Sequence, residues 1–143
     1  MEKSLTSSLE DYLEVISNYL NKYNKVRAVD IAKELNVSRA SVSEALKRLG
    51  KQGLINYGRY DVIMITDEGE KAAQRIIKKH ALLQEFFNNI LGLGEQEAAE
   101  NACKIEHIIS ENVFERLNEY IEYNKQHPEF AKEFCTQFDK INH

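Results

Sequence analysis

The sequence predicts a mainly α-helical chain with one short two-stranded hairpin. Three observations predict it. Apolar residues recur at spacings of three and four along most of the 143 residues. Helix breakers are sparse, with one proline and six glycines. One stretch, GLINYGRYDVIMIT, switches to short β-type runs around a glycine-containing turn. The length suits one compact domain or two small units packed together.

A first helix is predicted over Leu9 to Tyr23, because Leu9, Tyr12, Leu13, Ile16, Tyr19 and Leu20 share one face. Ser7 or Ser8 is placed to cap it. A second spans Arg27 to Leu35, with Val29, Ile31, Ala32 and Leu35 apolar. Asn36 follows, a residue that tolerates the left-handed conformation of a helix end. Ser38 caps a third helix running to about Leu49, with Val42, Ala45, Leu46 and Leu49 turned inward. The hairpin pairs Leu54 and Ile55 with Val62 to Ile65, across a turn at Tyr57 to Asp61. Thr66 or Asp67 then caps a long helix to about Ile90, lined on one side by Ala72, Ile76, Ile77, His80, Leu83, Phe87 and Ile90. LGLGEQEA breaks it. A fifth helix is expected from Glu95 to Ile109, a sixth over ENVFERLNEYIEY behind Ser110, and a last short one over PEFAKEFCTQF from Pro128. There is no internal repeat and no low-complexity linker.

Composition narrows the function classes. Hydrophobic residues make up 43% and charged residues 29%, the balance of a soluble globular chain. No apolar run approaches the ~20 residues of a membrane span. The N-terminal MEKSLTSSLEDY has no apolar signal core. A cytoplasmic protein without membrane partners is expected, with Cys103 and Cys135 reduced. The net charge of −4 is unevenly spread. Lys25 to Tyr60 holds eight basic residues against three acidic, and the remainder 11 basic against 20 acidic. A basic module attached to an acidic remainder suggests an anion such as DNA for one part and a cation for the other.

The basic module reads as a helix-turn-helix. In AVDIAKELNVSRASVSEALKRL, Ala32 is the small residue where a second helix crosses closely. Asn36 takes the turn, and Val42 anchors the second helix. The positions left to face out are Arg39, Ser41, Ser43, Glu44, Lys47 and Arg48, short polar and basic side chains suited to base edges and phosphates of a major groove. Arg27 and Ser38 start the two helices and join the same candidate DNA surface. The hairpin makes a two-stranded wing with Arg59 at its tip, suited to phosphate or the minor groove. The whole is a winged helix-turn-helix, which serves either double-stranded DNA or protein interaction.

The stretch CKIEH places Cys103, Glu106 and His107 at i, i+3 and i+4, one face of a helix. All three are donors for divalent transition metals, yet a solvated helix face offers the same residues. His80 sits on the apolar side of the long helix, where a histidine is either a core residue or a ligand. Asp11 and Glu14 share an edge of the first helix beside Tyr12, Leu13 and Ile16, and carboxylates beside a core cost free energy unless a cation neutralises them.

Taken in order, EDYLEVI, the winged helix ending VIMITDEGEKAA, KKHALLQEFFNNILGL and ENACKIEHIIS resemble the diphtheria toxin repressor family of metal-dependent transcriptional regulators, over roughly residues 8 to 125. The resemblance implies an N-terminal DNA-binding winged helix and dimerising helices after it. It also implies metal ligands from the first, long and next helices. Asp11 and Glu14 match the carboxylate pair of the family's manganese-sensing branch, where the iron branch has methionine at the place of Asp11. His80, Glu106 and His107 match both branches. Cys103 agrees with the iron branch, and the manganese branch has glutamate there. Gln84 and Ala99 stand where the iron branch has ligands of a second site. The chain ends at His143 without that branch's SH3-like domain, as in the short manganese branch.

The sequence therefore predicts a winged helix-turn-helix over residues 1–70 and an all-helical metal-binding and dimerisation domain over 71–143. The predicted protein is a homodimeric repressor. It binds operator DNA when Mn(II) or Fe(II) occupies Asp11, Glu14, His80, Cys103, Glu106 and His107, with cobalt, nickel or zinc as substitutes in vitro. Leu82, Leu83, Phe86, Phe87, Ile90, Leu91 and Leu93 form an apolar surplus expected to serve the dimer. Two alternatives remain. One is a winged-helix regulator that senses no metal. The other is a metal-dependent hydrolase, opposed by the lack of any His-Glu-x-x-His motif, serine elbow or phosphate loop. No small-molecule substrate is implied.

Overall fold

The computed structural model describes residues 5–58 and 62–141. Seven α-helices appear there, α1 (Ser7–Tyr23), α2 (Ala28–Leu35), α3 (Arg39–Lys51), α4 (Asp67–Glu85), α5 (Glu95–Ile105), α6 (Glu111–Gln126) and α7 (Pro128–Ile141), with strands β1 (Ile55–Tyr57) and β2 (Ile63–Ile65). The chain divides into two compact units, Met1–Ile77 and Lys78–His143. Among the described residues no helix is long and apolar enough to cross a membrane.

The first unit is built around one core. Leu13, Ile16, Ile31, Val42, Leu46 and Leu49 have no exposed surface, and Ile55 and Ile63 close it from the strands. α1 is capped by Thr6 rather than Ser7 or Ser8. Its hydroxyl accepts from Leu9 N at 3.2 Å, the reach of a cap three residues ahead, whereas both serines lie inside the first turn. Asn36 takes the left-handed turn between α2 and α3 (φ 53°), and the Ser38 hydroxyl accepts from Ser41 N at 3.1 Å. Ala32 packs against the core, and Val42 anchors α3.

β1 and β2 are antiparallel, with Ile55 opposite Ile65 and Tyr57 opposite Ile63. The strands are offset from their sequence-predicted limits. Asn56 and Tyr57 pair across the sheet, while Leu54 and Val62 stay outside it. Arg59, the expected wing tip, lies outside the described residues. Thr66 then joins hairpin to helix. Its hydroxyl donates to Gly53 O at 2.7 Å and accepts from Gly69 N at 3.0 Å. Gly69 faces the Leu54 carbonyl so closely that any Cβ would collide with backbone. Ser17, fully buried, hydrogen-bonds the Glu70 carboxylate at 3.2 Å and joins α1 to the start of α4.

The second unit is organised differently. The long helix does not stay α-helical to Ile90. Phe86–Ile90 forms a π turn, with Leu91 N donating to Phe86 O at 3.1 Å, and Gly92 ends it at φ +78°. α5, α6 and α7 all pack against that turn. Leu82, Ile90 and Ile121 form the buried cluster, helped by Phe86, Phe114 and Leu117. Ala98 and Ala102 are the buried face of α5. Of the apolar surplus expected at the surface, Leu82, Leu83 and Ile90 are buried in the chain's own fold, Phe86, Phe87 and Leu93 are half-buried, and Leu91 is exposed. On α6, Lys125 pairs with Glu122 (3.2 Å) and Glu85 (3.5 Å), which hold its ammonium above the usual lysine pKa.

Candidate metal centre

α5 ends at Ile105, four residues before its expected limit. Glu106 is its C-cap, donating its backbone N–H to Ala102 O at 2.9 Å, and the chain turns through His107 before Ser110 caps α6. This revises the shared-face geometry. Cys103 and Glu106 lie one turn apart on the helix, and His107 belongs to the turn. The turn brings the two ends of one carboxylate to two different rings.

Glu106 is the centre of the cluster. Its side chain is 1% exposed. One oxygen lies 2.7 Å from His80 Nδ1, and the other 3.3 Å from His107 Nε2. His80 comes from α4 and is mostly buried, while His107 is 7% exposed. Cys103, exposed, brings Sγ to 3.6 Å from the same His80 nitrogen. The donor atoms of His80, Cys103 and Glu106 all lie within 4.8 Å of one another.

A carboxylate removed from water is costly unless positive charge or strong hydrogen bonds compensate. Here two imidazoles meet it. The set offers oxygen, nitrogen and sulfur at one point and fits a divalent first-row transition ion. The carboxylate is placed to serve as a shared ligand, because its two oxygens face different neighbours. Lys79 in the same unit is engaged with Glu111 at 3.5 Å.

Four sequence-predicted donors, His80, Cys103, Glu106 and His107, therefore meet in the second unit. Asp11 and Glu14 lie in the first unit, half-buried on α1 beside the buried Tyr12 and Leu13. The candidate DNA residues Arg27, Ser38, Arg39, Ser41, Ser43, Glu44, Lys47 and Arg48 are all exposed in the first unit. Two of them also hold local structure. The Ser38 hydroxyl is used in the cap and reaches Ser41 Oγ at 2.9 Å, and Arg27 N donates to Asp30 at 3.0 Å to begin α2. Sequence reasoning passed over the Ser17–Glu70 pair, which has no spacing signature because its partners are 53 residues apart.

Residues 4–62 match the family described as iron dependent repressor, N-terminal DNA binding domain, and residues 66–134 match iron dependent repressor, metal binding and dimerisation domain. An uncharacterised helix-turn-helix transcriptional regulator of Methanocaldococcus jannaschii is 36% identical over 82% of this chain and 95% of its own length. The transcriptional regulator MntR of Oceanobacillus iheyensis is 32% identical over 84% of this chain and 81% of its own. Among solved structures, the manganese regulator SloR superposes with a TM-score of 0.72 at 31% identity, over 83% of this chain. The present chain spans 55% of the solved SloR chain.

Proposed function

We propose, since this chain belongs to the iron-dependent repressor family of metal-dependent transcriptional regulators, that it silences transcription by binding operator DNA as a homodimer when a divalent metal is bound. Manganese is the preferred effector, ahead of ferrous iron. The observation that carries the reading is Glu106, a buried carboxylate set between His80 and His107 with the Cys103 thiol beside it.

His80, Cys103, Glu106 and His107 would hold the ion, and the sequence pattern adds Asp11 and Glu14 as further carboxylate donors. The ion supplies fixed positive charge to a cluster rich in carboxylate. Glu106 is held in place by its burial and by the two rings, so little ordering is left for binding. Oxygen-rich sets suit manganese, while the thiol pulls toward iron, and toward cobalt, nickel or zinc in vitro. SloR, described as a manganese regulator, supports the first choice. We assign DNA reading to residues 1–70 and metal binding and dimerisation to residues 71–143. α3 offers Arg39, Lys47 and Arg48 to the major groove. The chain acts in the cytoplasm by binding and release, without turning over a substrate.

The test is operator affinity, measured anaerobically on DNA from the protein's own promoter region, against each divalent ion. Manganese is expected to tighten binding, and His80→Ala or Glu106→Ala to remove that effect while the fold persists. Lys47→Ala should weaken binding on all sequences and lower the salt slope by about 1. Cys103→Glu should raise the preference for manganese over iron. An affinity indifferent to every divalent ion up to high micromolar levels would overturn the reading in favour of a regulator that senses no metal.

A further inference from the structure

Within the second unit, the π turn, α6 and α7 enclose a cleft of about 300 Å³. Its walls are apolar, from Ile90, Ile121, Pro128, Ala131 and Cys135. Cys135 ties α7 to the π turn. Its Sγ donates to Ile90 O at 3.7 Å, and Gly92 lies so near that a Cβ there would sit 2.9 Å from the sulfur. Two polar features interrupt the apolar lining. The first is Asn124, only 7% exposed. Its amide nitrogen donates to Tyr120 O at 2.8 Å. A carbonyl can only accept, so this bond fixes which end of the amide is nitrogen. Oδ1 is then left without a partner among the described residues. Every fully shielded side-chain polar atom there has a partner, so Oδ1 keeps an opening, and the cleft is the opening that Asn124 lines. The second feature is charge at the rim. Lys125 is held between Glu85 and Glu122, whereas Lys132 has no acidic partner among the described residues.

We propose that this cleft binds a small hydroxy-carboxylic acid. Its apolar chain lies against Ile90, Ile121 and Ala131, its hydroxyl donates to Asn124 Oδ1, and its carboxylate pairs with Lys132. Size sets the chain. Ligand sites begin at about 300 Å³, and at about 30 Å³ per water-sized group the cleft takes about ten heavy atoms, the size of an eight-carbon acid. Charge sets the head. The rim offers two ammonium groups against the single carboxylate of Glu85, which Lys125 already engages. An incoming anion meets an uncommitted cation in Lys132, and an incoming amine meets only a carboxylate in use. Asn124 sets the hydroxyl. An apolar ligand that covers Oδ1 without bonding it removes the oxygen from water at a cost, and a hydroxyl at that point restores the bond. None of His80, Cys103, Glu106 and His107 lines the cleft, so it is a site apart from the metal centre.

The experiment titrates the full chain with β-hydroxyoctanoate and follows its amide NMR shifts. Saturable shifts are expected at Ile90, Asn124, Ala131 and Cys135, half complete at roughly 0.5 mM. Octanoate, which lacks the hydroxyl, and the methyl ester of β-hydroxyoctanoate, which lacks the charge, are each expected to bind about fivefold more weakly. Lys132→Gln should lower the affinity of the acid to that of the ester and leave the ester unchanged, a split that general misfolding would not give. Ala131→Trp, which fills the cleft from a half-buried position, should abolish the saturable shifts of all three probes with the thermal transition retained. Equal affinity for the three probes overturns the proposal, and so do shifts that survive Ala131→Trp. A titration with no saturation up to about 5 mM overturns it as well. Movement of the same amides on dilution of the chain without any probe would give the cleft to a second copy and overturn the acid.

Discussion

The two units solve the problem of burial in opposite ways. The first turns large aliphatic side chains inward from three helices and a hairpin, and Leu13, Ile16, Ile31, Leu46 and Leu49 have essentially no exposed surface. The second hides two alanines, a small aliphatic cluster with Leu83, and two polar residues, Glu106 and Asn124, while five of its aromatic rings, on α6 and α7, stay about half exposed. A unit of the first kind is complete by itself. A unit of the second kind draws stability from whatever it binds, since any ligand of the folded state adds its binding free energy to folding. For a sensor this is a useful arrangement, with the reading head constant and the switch marginal.

The largest expected effect tests the completeness of the first unit. Leu46→Ala should cost about 3 kcal/mol, because a fully buried leucine leaves both lost transfer energy and a cavity. Urea unfolding checks it, and a loss under about 1 kcal/mol would mean that the core relaxes freely. Next comes the dependence of the second unit on its ligand. Manganese at a hundredfold over its dissociation constant should add about 2.7 kcal/mol to the unfolding of that unit. In Glu106→Gln, which keeps the side-chain volume, calorimetry should show most of that gain gone. A full gain in the variant would remove Glu106 from the site. The smallest effect sharpens the join between hairpin and α4. Gly69→Ala should destabilise the first unit by about 2 kcal/mol, since its methyl meets the Leu54 carbonyl rather than a movable side chain. Thermal melts of the two units followed separately should show the second unmoved.

Much of this contrast was legible in the sequence. The three-and-four spacing drew α1 to α3 nearly to the residue, and Asn36, Ser38 and Ser110 marked turns and caps correctly, because short polar side chains act on backbone a few residues away. The donor types of the candidate site were legible for the same reason, lying in two short motifs. What escaped was set by packing over distance. Nothing in CKIEHIIS says that α5 stops at Ile105, so the pairing of His80 and His107 to opposite oxygens of Glu106 was hidden. Leu82 and Ile90 looked like surface surplus until α6 brought Ile121 onto them. The strand limits slipped by a residue or two, where Asn56 pairs with Met64 across exposed positions.

The π turn at Phe86–Ile90 has a consequence for inheritance. A π turn holds one residue more than an α turn, so it marks a place where a helix has accepted an insertion without being cut. Everything before it, His80 included, keeps its own angular phase, and everything after it starts from another. Substitutions that reorient the face carrying α5 to α7 can therefore accumulate downstream while the histidine keeps its bearing. A lineage can remodel one end of this helix and leave the other untouched, which an uninterrupted helix of the same length would not permit.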